Sequence, residues 1–102
     1  MAELDGKTIL VTGASKGIGA AIVAAIGAAG ANVVAHYGRD REGAEAASAG
    51  VPADRRRLIA ADLGDMAEVD RLWRETLAWR GRVDVVVNNA GILRDRIFHR
   101  MS

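Results

Sequence analysis

The sequence predicts an α/β fold: a parallel sheet built in the order β-α-β-α-β-α-β. Three observations carry this. Short continuous apolar runs without alternation, the mark of strands buried on both faces, recur along the chain. Segments of helical period separate them, and such alternation demands a parallel sheet with crossovers. Glycine-rich or asparagine-rich turns follow the first and last of the runs, at Gly13–Gly19 and at Asn88-Asn89-Ala90-Gly91.

Residues 7–12 read as the first strand, with Ile9, Leu10 and Val11 at its centre. Residues 16–29 read as the first helix. Ile18, Ile22, Ala25, Ile26 and Ala29 recur at helical spacing, the small Ala21 and Ala24 allow close approach to the sheet, and Gly30 suits the stop. Residues 32–37, Asn-Val-Val-Ala-His-Tyr, form the second strand. Asp40 then caps a short helix through Ala49, ended by Gly50 and carrying only alanine on its apolar face. Residues 51–54 are loop, Arg55-Arg56-Arg57 is a solvated basic run, and residues 57–61 are the third strand. Asp65 and Glu68 have the spacing of a capping box. The helix behind them shows Val69, Leu72, Trp73, Thr76 and Leu77 on one stripe, with Trp73 as a core anchor and Gly81 as terminator. Residues 83–87 are the fourth strand. Residues 92–102 show no clear period and read as irregular or weakly helical.

The chain has 102 residues, enough for one small domain with a modest core. Half of it is apolar, much of that alanine, and the aromatics are Tyr37, Trp73, Trp79 and Phe98. A net charge of +1 with both signs interspersed gives no electrostatic footprint for nucleic acid. The absence of cysteine excludes disulfides and thiolate metal sites and suits a reducing, cytoplasmic setting. No run approaches the roughly 18 apolar residues of a membrane span. Acidic Glu3 and Asp5, with no long apolar core, argue against a secretory signal. His36 and His99 have no partner at metal-ligand spacing; His36 reads as a strand residue and His99 as a surface one.

The stretch Thr12-Gly13-Ala14-Ser15-Lys16-Gly17-Ile18-Gly19 has the chemistry of a phosphate cradle. Glycines let the backbone turn sharply and approach a ligand closely. The helix that follows presents unsatisfied N–H groups and the positive end of its dipole. A diphosphate is the natural guest. The spacing is G-x-x-x-G-x-G rather than the commoner dinucleotide fingerprint G-x-G-x-x-G.

T-G-A-S-K-G-I-G, followed some seventy residues later by N-N-A-G, resembles the short-chain dehydrogenase/reductase family, with its Rossmann-type fold. The resemblance runs from Leu4-Asp5-Gly6-Lys7 to Arg94-Asp95-Arg96. It implies a nicotinamide-dependent oxidoreductase and a strand order 3-2-1-4. The two loops then converge at the carboxyl ends of the first and fourth strands, where the order reverses and ligands bind. Gly13, Gly17 and Gly19 would shape the turn, Ser15 and Lys16 sit on its outer part, and Ile18 lies at the helix entry beneath the cofactor. By resemblance Asp62 bonds the adenine amino group and Leu63 lies against the ring; Asp62 as a helix-entry cap is the alternative. Asn88 ties neighbouring strands, Asn89 belongs to the same motif, and the Ala90-Gly91 backbone lies along the cofactor ribose.

NADP is the favoured cofactor, with NAD as the alternative. No acid occurs from Asn32 to Arg39 to bind a ribose 2′-hydroxyl, whereas Lys16 and Arg39 can grip a 2′-phosphate. Asp40 can still reach a ribose hydroxyl. The family reduces carbonyls or oxidises secondary alcohols with a tyrosine, a lysine four residues later, a serine and an upstream asparagine. The single tyrosine, Tyr37, lies in the second strand and is followed four residues on by Arg41, so it does not match. All four catalytic positions would fall beyond Ser102. The expectation is the cofactor half of a short-chain oxidoreductase, 1–102 forming a partial dinucleotide-binding domain that binds cofactor without turnover. The tail at Gly91-Ile92-Leu93-Arg94-Asp95-Arg96 looks most like members acting on 3-oxoacyl or 3-hydroxyacyl thioesters. The full-length protein would be a homo-oligomer, and an uncovered fourth strand would make this chain self-associate. A non-catalytic nucleotide-binding or regulatory module using the same crevice is the other reading.

Overall fold

The structure is a computed structural model and describes residues 3–90. The strands are β1 (Thr8–Val11), β2 (Asn32–Tyr37), β3 (Arg56–Ala60) and β4 (Val85–Val87). The helices are α1 (Gly17–Ala28), α2 (Arg41–Ala47) and α3 (Met66–Arg80), with a short 3-10 turn at Ala53–Arg55. All strand pairs are parallel, in the order β3-β2-β1-β4. The order expected from the sequence is therefore the observed one. The readings for His99 and for residues 92–102 lie outside the described residues.

The central strands β1 and β2 are buried on both faces, whereas the edge strand β4 is only partly covered and Val85 is exposed. On one face of the sheet, Ile9, Val11, Val33 and Ala35 pack with Val23 of α1 and Val51. On the other, Leu10, Val34 and Ile59 pack with Leu72 of α3, and Trp73 rests half-buried against them. Alternate residues of each strand thus serve opposite layers, which explains the unbroken apolar runs.

Several local expectations need correction. The sheet-facing stripe of α1 centres on Gly19, Val23 and Gly27; Ile22 and Ile26 of the expected stripe pack half-buried beside it, whereas Ile18, Ala21, Ala24 and Ala25 are exposed. A Cβ on Gly27 would stand 2.4 Å from Val51 Cγ2, so glycine sets how closely helix and loop pack. Asp40 does cap α2, accepting from the Gly43 N–H, but the helix ends at Ala47 rather than Ala49. Ser48 turns its hydroxyl back onto the Ala44 carbonyl there (2.8 Å). Asp65 caps α3 through the Ala67 N–H. Glu68 does not complete a capping box, because Arg71 holds its carboxylate. The basic run is not simply solvated: Arg55 donates to the Ala31 carbonyl and Arg56 to the Ser48 carbonyl.

The fourth strand begins two residues later than its apolar run suggests, and Asp84 is the reason. Its main-chain N–H donates to the Thr8 carbonyl at 2.8 Å. Its side-chain Oδ2 accepts from the Thr8 N–H, also at 2.8 Å. A side chain thus takes the place of a ladder carbonyl where β4 joins β1. The Thr8 N–H, with Arg82 beside it, holds the Asp84 carboxyl below its ordinary range. Asp84→Ala should therefore lower the melting temperature at pH 7. The carboxylate's contribution is fully present above the ordinary value of 3.8 and is lost as pH falls through the lower folded value. The gap between variant and parent should close over that acid window in melts recorded from pH 7 downward; equal melting temperatures at pH 7 would contradict this role.

Candidate functional site

The carboxyl ends of β1 and β4 lie side by side, since Val11 pairs with Val87. The chain leaves β1 through Thr12 and turns at Gly13, whose φ of +63° is the left-handed region that favours glycine. Gly17 has φ +62° and nothing within 4 Å of where a Cβ would stand. This leaves the mouth of the turn open. Lys16 occupies the N-cap position of α1 without a side-chain capping bond, and the first turn of that helix holds no acid. Its N–H groups and dipole therefore meet the space outside the turn.

The second loop is fastened to the first by side chains. Thr12 Oγ1 donates towards Asn88 Oδ1 and accepts from the Ala90 N–H at 3.1 Å. Asn89 Nδ2 donates to the Gly13 carbonyl at 3.0 Å. Gly19 permits this closeness: a Cβ there would lie 2.1 Å from the Gly13 oxygen and 2.7 Å from Asn89 Nδ2. No side chain fits such a gap.

A cleft of about 360 Å³ opens beside these loops, lined by Gly13, His36, Arg39, Asp62, Leu63 and Ala90 among others. Five of these six were expected site residues; His36 was not. Asp62 is exposed and one oxygen closes a local turn by accepting from the Gly64 N–H at 2.9 Å, so it caps a turn rather than α3. Arg71 of α3 fixes the chain just before it by donating to the Ala60 carbonyl, while Glu68 and Glu75 hold the guanidinium. Ser15 and Lys16 lie on the outer turn. Ile18 is 73% exposed at the start of α1. Gly91 lies outside the described residues.

His36 is the residue that sequence reasoning missed. It is buried, and its Nδ1 accepts from the Gly13 N–H at 3.0 Å. Nε2 therefore carries the proton and donates to the Ala61 carbonyl, also at 3.0 Å. Burial pushes its pKa below the ordinary 6.5, with the Ala61 bond acting in the opposite direction. The only available signal was a histidine in an otherwise apolar strand.

Tyr37 is buried as well, and its hydroxyl accepts from Arg41 Nη1 at 2.9 Å. It is a structural residue of the β2–α2 junction. A larger hollow, about 430 Å³, lies along β3 between Arg41, Glu45, Arg57 and Glu75. It mixes charges of both signs and shares no residue with the glycine turn.

Residues 7–102 match the short chain dehydrogenase family. The chain belongs to that family. It is 47% identical over 93 residues to versicolorin reductase 1 of Aspergillus parasiticus, an alignment covering 89% of this chain and 36% of that protein. A metagenomic short-chain oxidoreductase solved in complex with NADP superposes with a TM-score of 0.76 at 41% identity, over 86% of this chain and 40% of that one. The 3-ketoacyl-(acyl-carrier-protein) reductase of Brucella melitensis, complexed with NADH, gives 0.73 at 34% identity, over 82% of this chain and 34% of that one. The chain thus spans well under half the length of each. Among the described residues no three His, Cys, Asp or Glu side chains group as a metal site, and no helix is long and apolar enough to cross a membrane.

The glycine contact yields a direct test. Gly19→Ala must push the Gly13 carbonyl or Asn89 aside and should cost about 1–3 kcal/mol of unfolding free energy. Asn89→Ala, which removes one hydrogen bond, should cost about 0.5–1.5 kcal/mol. Denaturant melts check both; a Gly19→Ala variant as stable as the parent would contradict the close approach.

Proposed function

We propose that the cleft binds the adenosine and diphosphate portions of a nicotinamide dinucleotide, NADP(H) in preference to NAD(H). The observation that carries the reading is the open glycine turn on the uncapped start of α1, joined to the Asn88–Ala90 loop across the β1–β4 boundary. A diphosphate would be held by the turn's amides around Ser15, Lys16 and Gly17. Asp62 keeps a carboxylate oxygen beyond the one bonded to Gly64, and that oxygen would accept from the adenine amino group, with Leu63 beneath the ring. Ala90 would line the ribose on the nicotinamide side.

A bound nicotinamide would supply hydride exchange with a carbonyl or secondary alcohol. Two of the relatives named above are called reductases, one of versicolorin and one of 3-ketoacyl-(acyl-carrier-protein), and reduction is what these two names share. We assign no described residue to proton transfer, since the Tyr37 hydroxyl is already engaged by Arg41. The chain's own part is to bind and orient the dinucleotide.

The preference for NADP(H) rests on Arg39 in the cleft and Lys16 on the turn, with no acid between residues 32 and 39. A charge-assisted bond from arginine to a phosphate is worth about 1.5–3 kcal/mol, roughly ten- to a hundred-fold in affinity. Arg39→Ala should weaken NADPH binding by that factor and NADH binding far less, as read by titration of cofactor fluorescence. Equal losses for both cofactors would overturn the assignment of Arg39, and no binding of either by the parent chain would overturn the function proposed.

A further inference from the structure

We propose that His36 is a positioning residue for the dinucleotide: its neutral imidazole holds the Gly13 amide in place, and protonation releases the turn, so cofactor affinity falls in acid. The inference rests on the dinucleotide reading of the cleft.

The geometry leaves the imidazole one working state. His36 stands near the end of β2, between the turn after β1 and the chain leaving β3. Its Nδ1 lone pair accepts from Gly13 and its Nε2–H donates to Ala61, both at 3.0 Å. A second proton on Nδ1 would set two N–H donors against each other in a site only 2% exposed. Loss of a buried bond with an unsatisfied donor left behind is the costly way to lose one.

The consequence passes directly to the turn. The His36 carbonyl also accepts from the Ala14 N–H at 2.9 Å, so one residue fixes two successive amides of the glycine loop. The Gly13 carbonyl is held by Asn89, and Gly19 packs against it. Movement at the Gly13 amide therefore disturbs the turn, the second loop and the start of α1 together.

The charged groups around the ring do not favour one state. Arg39 and Asp62 share the cleft with it and have opposite signs. On α3, Arg71 reaches the Ala60 carbonyl, next to the Ala61 partner, and carries Glu68 and Glu75 with it. Burial decides the direction and keeps the ring neutral at pH 7.

The test compares this chain with His36→Asn between pH 5 and 8. An asparagine amide can both accept and donate but does not titrate. NADPH affinity of the parent should decline below the His36 pKa, approaching about tenfold per pH unit. The variant should show only the 2′-phosphate's own titration, which both proteins share; NADH, lacking that phosphate, should leave the variant flat. Superimposable profiles would overturn the proposal. A second measurement needs no variant. In the parent, imidazole ¹⁵N shifts should report the Nε2–H tautomer above neutrality, and the Gly13 amide shift should move with the His36 titration. The Nδ1–H tautomer, or a Gly13 amide indifferent to pH, would overturn the proposal even if the variant failed to fold. Absence of NADPH binding at every pH would instead defeat the dinucleotide reading, with the Gly13 amide still deciding the latch.

Discussion

The cleft depends on one close approach, that of the Gly13 carbonyl to Gly19 and Asn89. At this point the loop after β1, the first turn of α1 and the loop after β4 touch. The room for a Cβ at Gly19 is only 2.1 Å. A side chain there would lift α1 away from the sheet or expel the Asn89 amide, and either would separate the two loops. Because β1 and β4 are neighbours only through the reversal of strand order, this contact ties together segments 76 residues apart in sequence.

The same economy of side-chain volume runs through the fold. Glycine at positions 19 and 27 lets α1 lie close along the sheet, and Val23 between them is its one large buried side chain. The layer on that side is built from Ile, Val and Ala, whereas Leu72 and Trp73 enlarge the layer under α3. Polar groups then fix what small apolar contacts leave loose. Asp84 begins the β1–β4 ladder, Arg71 fixes the end of β3, and His36 bridges the turn to Ala61. Each stands where a strand begins or ends: Asp84 at the amino end of the sheet, and Arg71 and His36 at the carboxyl end that carries the cleft.

Much of this was legible in the sequence because it depends on local chemistry. The bounds of β2, the Asp40 and Asp65 caps and the left-handed Gly81 follow from single residues and their neighbours. The strand order followed from a resemblance carried by two loops. What escaped depends on register or on residues that contribute no side chain. Ile22 and Ile26 of α1 do pack on the core, but the centre of its sheet face escaped because glycines add nothing to an apolar stripe, although here they mark the tightest packing. The start of β4 was misread because a carboxylate replaces a ladder carbonyl. The role of His36 was hidden because its partners lie 23 and 25 residues away and meet only through the pairing of three strands. The site residues nominated from sequence do gather at one end of the sheet, with Gly91 outside the described residues.

The central claim is that the two fastened loops form a single dinucleotide cradle. Titrating the isotopically labelled chain with NADPH while following backbone amide shifts tests it most directly. The account predicts saturable shifts confined to residues 13–19, 38–39, 61–63 and 88–90, with the hollow beside Arg41, Arg57 and Glu75 unmoved. Saturable shifts centred on that hollow, or changes in the glycine turn that leave Asn88–Ala90 unaffected, would contradict it.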